Sequence, residues 1–175
     1  DKITNPRFFR KEEKELAKVQ RKLSKQKKGS LKRRKTKKIV SRVHERIANK
    51  RSNFAHQESR KIISKFGTIC VEDLSVNKMV HDHCFSKSIM DVAWNQFTSF
   101  LFYKAEWAGR KLIKVNPAYT SQNCSGCGHR EAKKLSDRIH NCSCCNLILD
   151  RDHNAALNIL ALGLQSIGIQ SVEVS

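Results

Sequence analysis

Hydrophobic positions recur at helical spacing through the first third of the chain. From Lys11 onward, Leu16, Val19 and Leu23 stand at i, i+3 and i+7. Ile39, Val43 and Ile47 then follow at four-residue steps, continued by Phe54, Ile62 and Ile63. Gly29-Ser30 separates the two runs, which predicts two helices folded back as a hairpin on one apolar seam. After Gly67 the pattern changes. Residues 68–74 are β-branched and apolar until they meet Glu72 and Asp73, the mark of a short buried strand. Residues 75–87 read as a loop. Ile89, Val92, Ala93, Phe97, Phe100 and Leu101 predict a helix running to Trp107 and closed near Gly109, and residues 111–115 predict a second strand ended by Asn116-Pro117. A last helix is predicted from about Asp152 to Leu162, stopped by Gly163, with a tail from Gln165 that forms a short strand or frays. Strand, helix, strand, helix in that order predicts an α/β fold with parallel pairing and a right-handed crossover.

Charge sharpens this picture. The formal net charge is +19, and residues 1–66 carry 24 Lys and Arg against 6 Asp and Glu, whereas residues 67–175 carry 11 against 10. Charge of that density in one segment repels itself unless a polyanion neutralises it, and nucleic acid is the partner that gains most by releasing condensed counterions. Lys32, Arg33, Arg34, Lys35, Lys37 and Lys38, continued by Arg42 and Arg46, are the candidate binding residues. The hairpin lacks the amphipathic aromatic face of a membrane binder, and no apolar run approaches the roughly 18 residues of a spanning helix. The first residues lack the apolar stretch of a secretory signal. Seven cysteines, four of them in CxxC pairs, point to a reducing compartment, cytoplasmic and nucleoid-associated.

Those pairs carry the strongest chemical signal. Cys124-Ser125-Gly126-Cys127 and Cys142-Ser143-Cys144-Cys145 enclose 14 residues, and four thiolates from Cys124, Cys127, Cys142 and Cys145 suit a closed structural Zn²⁺ site. Cys144 competes with Cys145 through a less favourable CxC bite, and His129 and His140 are weaker substitutes. A second candidate lies in carboxylates. Glu72 ends a predicted strand, where ligand sites of open α/β sheets gather, and Asp152 opens a predicted helix. Such a pair can share Mg²⁺ or Mn²⁺ for phosphodiester hydrolysis. Strand alternation sends Asp73 to the opposite face from Glu72. The residues alone do not choose between Asp150 and Asp152. His81-Asp82-His83-Cys84 resembles a metal cluster, but its tight spacing points donors to alternating faces and favours a solvated loop.

The segments Val71-Glu72-Asp73-Leu74, the two CxxC pairs and Asp150-Arg151-Asp152-His153-Asn154-Ala155-Ala156 resemble the TnpB (OrfB-type) transposon-associated proteins. So do Asn5-Pro6-Arg7-Phe8, His44-Glu45-Arg46-Ile47-Ala48-Asn49 and Tyr103-Lys104-Ala105-Glu106-Trp107. The resemblance implies a partial RNase H-like (RuvC-type) nuclease fold with a basic helical hairpin inserted and a four-cysteine zinc ribbon. It also implies an RNA-guided, metal-dependent DNA endonuclease, with DNA and guide RNA as partners. Glu72 would be the second catalytic carboxylate and Asp152 the third. The expected division is a core-strand remnant over 1–10, the basic hairpin over 11–66, a strand–helix–strand over 67–117, the ribbon over 118–149, and the last core helix with its tail over 150–175.

The first catalytic Asp of the family lies upstream of the Asn-Pro-Arg-Phe segment. The chain is therefore expected to lack it, along with the first two core strands and most of the third. Two functions follow: part of a nuclease, or a non-catalytic nucleic-acid-binding remnant or regulator. Asn146 stands where the family's knuckle carries Gly, and Asn tolerates the left-handed turn required there.

Overall fold

The computed structural model describes residues 3–4, 6–74, 94–134 and 136–169, the side chains of Phe9 and Lys11 excepted. The His81-Asp82-His83-Cys84 segment, the positions Ile89, Val92 and Ala93, and the tail beyond residue 169 lie outside the described residues. Two compact units are present, one from residues up to 65 with 94–104, the other from 66–74 with residues from 105 onward.

In the first unit, α1 (Phe8–Ser24) and α2 (Leu31–Lys65) lie along one another. Their pairing is antiparallel: Phe8 meets Phe54 edge to face, Glu12 binds Lys50, Glu15 binds Arg46, and Arg33 reaches Leu23. Leu16, Val43 and Ile47 are the buried seam, flanked by Phe8 and Val40. Each such side chain contributes roughly 1.5–3 kcal/mol on burial, whereas an exposed ion pair adds about 0.2–1 kcal/mol. The turn is built by more than Gly29. That glycine takes φ 85°, and the Ser30 hydroxyl then caps α2 by accepting the backbone N–H of Arg33 at 3.2 Å. The third helix, α3 (Trp94–Trp107), stacks Phe100 on the His56 ring with centroids 3.8 Å apart. Lys104 Nζ donates to the His56 carbonyl and to the hydroxyl of buried Ser59, both at 2.7 Å.

In the second unit, α3 ends at Gly109, which takes φ 61°. Arg110 N–H returns to the Ala105 carbonyl and Gly109 N–H to that of Glu106, which satisfies the orphan carbonyls of the last turn. Strands β1 (Thr68–Glu72) and β2 (Lys111–Val115) pair in parallel, as expected, with Thr68 opposite Lys111 and Glu72 opposite Val115. Strands β3 (Ile139–Asn141) and β4 (Ile148–Asp150) form a separate antiparallel pair with His140 opposite Leu149. Helix α4 (Arg151–Ser166) follows β4 directly and packs on β1 and β2.

The expected stop at Gly163 is corrected. Helix α4 runs through Gly163 to Ser166, so Gln165 is helical rather than the start of a tail. A Cβ at position 163 would lie 2.2 Å from Cys70 Sγ and 2.9 Å from Cys70 Cβ. Glycine is there to let helix and sheet approach, and the stop is Gly168 at φ 75°. Its own N–H bonds the Gln165 carbonyl while Ile169 N–H bonds that of Leu164.

Candidate metal centre and carboxylate site

The two CxxC turns are built alike. Cys124 N–H bonds the His129 carbonyl and Gly128 N–H bonds the Cys124 carbonyl. Cys142 N–H bonds the Leu147 carbonyl, and Asn146 N–H bonds that of Cys142. The residue after each second cysteine is left-handed, Gly128 at φ 77° and Asn146 at φ 59°, so Asn146 does take the turn that glycine takes in its counterpart. Each turn also donates the N–H after its first cysteine to an outside acceptor. Ser125 N–H bonds Asn154 Oδ1 at 2.9 Å, and Ser143 N–H bonds Glu131 Oε1 at 3.1 Å.

Together the turns bring one sulfur each from Cys124, Cys127, Cys142 and Cys145 within 4.8 Å of one another. Cys124 Sγ lies 3.6 Å from Cys145 Sγ, and Cys127 Sγ lies 3.5 Å from Cys142 Sγ. A tetrahedron with metal–sulfur arms of about 2.3 Å has edges of about 3.8 Å, so the spacing fits a four-thiolate ion. It is far beyond the roughly 2.05 Å of a disulfide. The backbone N–H of Cys145 pulls Cys142 down to about 6, against burial and with help from the N–H of Cys144. Burial and the neighbouring thiols instead push Cys127 and Cys145 up, so without a cation the cluster favours one thiolate rather than four. Cys144 is exposed and outside the four-sulfur group. His129 faces Glu131 at 3.7 Å, and buried His140 meets Lys133 Nζ at its Nδ1, so neither replaces a cysteine. The Ser143 hydroxyl and N–H hold the Glu131 carboxyl below the usual carboxylate range, which keeps this acceptor ionised.

Helix α4 carries the centre on one side. Asn154, fully buried, donates from Nδ2 to the Asn123 carbonyl at 2.8 Å while its Oδ1 accepts Ser125 N–H. One turn later, Asn158 Nδ2 donates to the carbonyls of Thr120 and Asn123, both at 2.8 Å. Arg151 adds a third tie, from Nη1 to the carbonyls of Lys134 and Asp137 at 3.1 and 3.3 Å. Thr120 in turn donates its hydroxyl to Glu72 Oε1 at 2.5 Å. A continuous run of hydrogen bonds therefore joins the end of β1 to the first cysteine turn.

The other sequence-predicted residues divide by role. Asp73 points away from Glu72, exposed and paired with Lys114 at 3.2 Å. Asp150 is the N-cap of α4, its Oδ1 accepting from the N–H groups of Asp152 and His153. Asp152 occupies the first turn and is exposed. Among the described residues, the four cysteines are the group of three or more donors gathered closely enough for one ion, and Glu72 and Asp152 belong to no such group. On α2, Lys32, Arg34, Lys35, Lys37, Lys38 and Arg42 are exposed. Arg33 is half-buried, its Nη1 donating to the Leu23 and Gln26 carbonyls at 2.5 and 3.1 Å, and Arg46 pairs with Glu12 and Glu15. Thr120, Glu131 and Asn158 tie these groups together by hydrogen bonds, and sequence patterns do not single out Thr120 or Glu131. For Asn158 one signal is available, since it is the polar position within the apolar run 155–164 and stands at i+4 from Asn154, a spacing that puts both on one face.

Known proteins share this pattern. The family described as "Cas12f1-like, TNB domain" matches residues 94–159, and the OrfB family described as "Probable transposase" matches residues 1–82. A Streptomyces pristinaespiralis protein named "Putative RNA-guided DNA endonuclease" is 39% identical over 166 residues, 94% of this chain and 41% of that protein. The CRISPR-associated endodeoxyribonuclease Cas12f1 of Sulfoacidibacillus thermotolerans is 32% identical over 142 residues, 78% of this chain and 33% of that protein. A cryo-EM structure of a Cas12f1–sgRNA–target DNA complex aligns with TM-score 0.63 at 25% identity, over 90% of this chain and 42% of that one. The chain spans about two fifths of the length of the first curated relatives it matches. The two family matches take in Glu72, all four clustered cysteines and Asp152, and the chain belongs to the TnpB (OrfB-type) family of transposon-associated proteins.

Proposed function

We propose that these residues are the C-terminal portion of an RNA-guided, metal-dependent DNA endonuclease with an RNase H-like (RuvC-type) core. In this reading the four cysteines hold a structural Zn²⁺ that shapes the ribbon, and DNA and guide RNA bind the exposed basic face of α2. The observation that carries it is the placement of two acids: Glu72 ends β1, and Asp152 stands in the first turn of α4, the helix packed on that strand. Both are consistent with the second and third carboxylates of the family pattern.

Mg²⁺ or Mn²⁺ bound there supplies a Lewis acid that activates water and neutralises charge on the leaving oxygen. Glu72 would contribute an oxygen oriented by Thr120, and Asp152 one from the first turn of α4. Cleavage by these 175 residues unaided is not expected, because on the family pattern they supply two carboxylates of three.

The second reading, nucleic-acid binding without cleavage, is favoured by the concentration of charge in residues 1–66. Nicking of supercoiled DNA with Mg²⁺ or Mn²⁺, lost in Glu72→Gln, supports the nuclease for this chain by itself. Salt-sensitive binding without nicking, together with Mn²⁺ binding indifferent to Glu72→Gln and Asp152→Asn, supports the second reading. Absence of salt-sensitive binding to either nucleic acid overturns both. Among the described residues no helix is long and apolar enough to cross a membrane; the cytoplasmic, nucleoid-associated location is part of the proposal and rests on the nucleic-acid partners.

A further inference from the structure

We propose that Thr120 is the positioning residue of Glu72, and that the four-thiolate centre acts on Glu72 through Asn154, Asn158 and Thr120. The metal of the ribbon then governs how Glu72 is presented to a divalent cation. The proposal rests on the reading of Glu72 as a cation ligand.

A glutamate at the last position of a strand has three rotatable bonds and few neighbours to fix them. Glu72 is held instead by one hydrogen bond, from Thr120 Oγ1 to Oε1 at 2.5 Å, within the short range of a hydroxyl given to an ionised carboxylate. Thr120 is only 3% exposed, which shelters the donor end of this bond from water. The hydroxyl has a second acceptor, the Pro117 carbonyl at 3.2 Å, which would make Thr120 a mere local turn residue. One proton cannot serve both well. The shorter bond, to a residue 48 positions away, is the stronger of the two.

What holds Thr120 is not its own turn alone. Its carbonyl accepts Asn158 Nδ2, and the same Nδ2 binds the Asn123 carbonyl, which also accepts Asn154 Nδ2. Asn154 Oδ1 then accepts the N–H of Ser125. Cys124 lies between Asn123 and Ser125, with its sulfur in the four-sulfur group. Three bonds to the backbone on either side of Cys124, two at the Asn123 carbonyl and one at the Ser125 N–H, therefore end on the helix that also holds Thr120. An ion crosslinking Cys124 to Cys145 restrains that backbone. Its removal loosens Asn123 and Ser125, frees the shared Nδ2 groups, and lets the Thr120 hydroxyl drift from Glu72. Outer-shell partners of this kind typically change metal affinity about 10–100-fold.

The test uses the whole chain loaded with zinc. Side-chain order of Glu72, read by NMR relaxation of its γ-methylene without any second cation, is expected to fall in Thr120→Val and Asn158→Ala and to be retained in Thr120→Ser. Removing zinc with a chelator, followed by dialysis, should lower it likewise, with α4 amide shifts checking that the helix persists. If α4 does not persist, Asn158→Ala with zinc retained carries the test. Unchanged Glu72 order in Thr120→Val, or in Asn158→Ala, overturns the proposal. Mn²⁺ titration then tests the reading beneath it. Glu72→Gln should abolish site-specific paramagnetic broadening, and Thr120→Val should weaken Mn²⁺ binding about tenfold. Mn²⁺ binding indifferent to Glu72→Gln overturns Glu72 as a ligand, whatever the order measurements show.

Discussion

Asp150 Oδ1 accepts the backbone N–H of Asp152 at 2.9 Å, so the first of two neighbouring aspartates closes the helix on which the second stands. The same oxygen takes His153 N–H at 3.2 Å. A motif that offers two carboxylates to one cation on paper has committed one of them to the backbone.

Two substitutions separate these roles. Asp150→Ala should cost about 1 kcal/mol of stability, the usual loss on removing a cap, while Asp150→Asn should cost a few tenths. Asp152→Asn gives up a helix-dipole interaction of about 0.3–1 kcal/mol. Thermal melts check the stabilities. Under the proposed function, Mn²⁺ binding should weaken in Asp152→Asn and be retained in Asp150→Asn.

Gly163→Ala tests the close approach of α4 to the sheet. Alanine gains about 0.8–1 kcal/mol of helix propensity. Against this stands a Cβ 2.2 Å from Cys70 Sγ, and overpacking of that kind costs about 1–3 kcal/mol. The urea midpoint should therefore fall, and Cys70→Ala in the same protein should recover part of the loss by removing the nearest atom.

Metal content distinguishes the adjacent thiols of the second CxxC turn. Cys145→Ser should lower bound zinc below one ion per chain, as should Cys124→Ser. Cys144→Ser should leave it unchanged, because its sulfur lies outside the four-sulfur group. Elemental analysis after gel filtration is sufficient.

The basic face of α2 makes a matching prediction. Replacing Lys32, Arg34 and Lys35 with Ala should flatten the salt dependence of DNA binding, by up to about 0.9 in log–log slope for each phosphate no longer neutralised. Arg33→Ala should leave the slope unaltered and lower stability instead, by about 1 kcal/mol, because its guanidinium caps the carbonyls of Leu23 and Gln26.

What is legible in the sequence is what periodicity and spacing encode. The seam of Leu16, Val43 and Ile47 follows from helical repeats, the β1–β2 pairing from β-branched runs, and the cysteine cluster from two CxxC turns. Gly163 misleads because a helix-stopping glycine and a close-packing glycine look alike until the facing residue, Cys70, is known. Arg33 reads like its basic neighbours because its partners are backbone carbonyls, which no side-chain pattern announces. Thr120 escapes for the same reason from the other direction: its acceptor lies 48 residues away, and a single long-range hydrogen bond has no period.

The clearance at Gly163 also has an evolutionary consequence. With β1 and α4 separated by less than a methyl group at that point, positions 70 and 163 share one allotment of volume. Descendants of this domain can enlarge one only by shrinking the other, so among relatives the two should vary as a pair, a larger side chain on the helix meeting Gly or Ala on the strand. Ninety-three positions apart in the chain, the two are expected to change together.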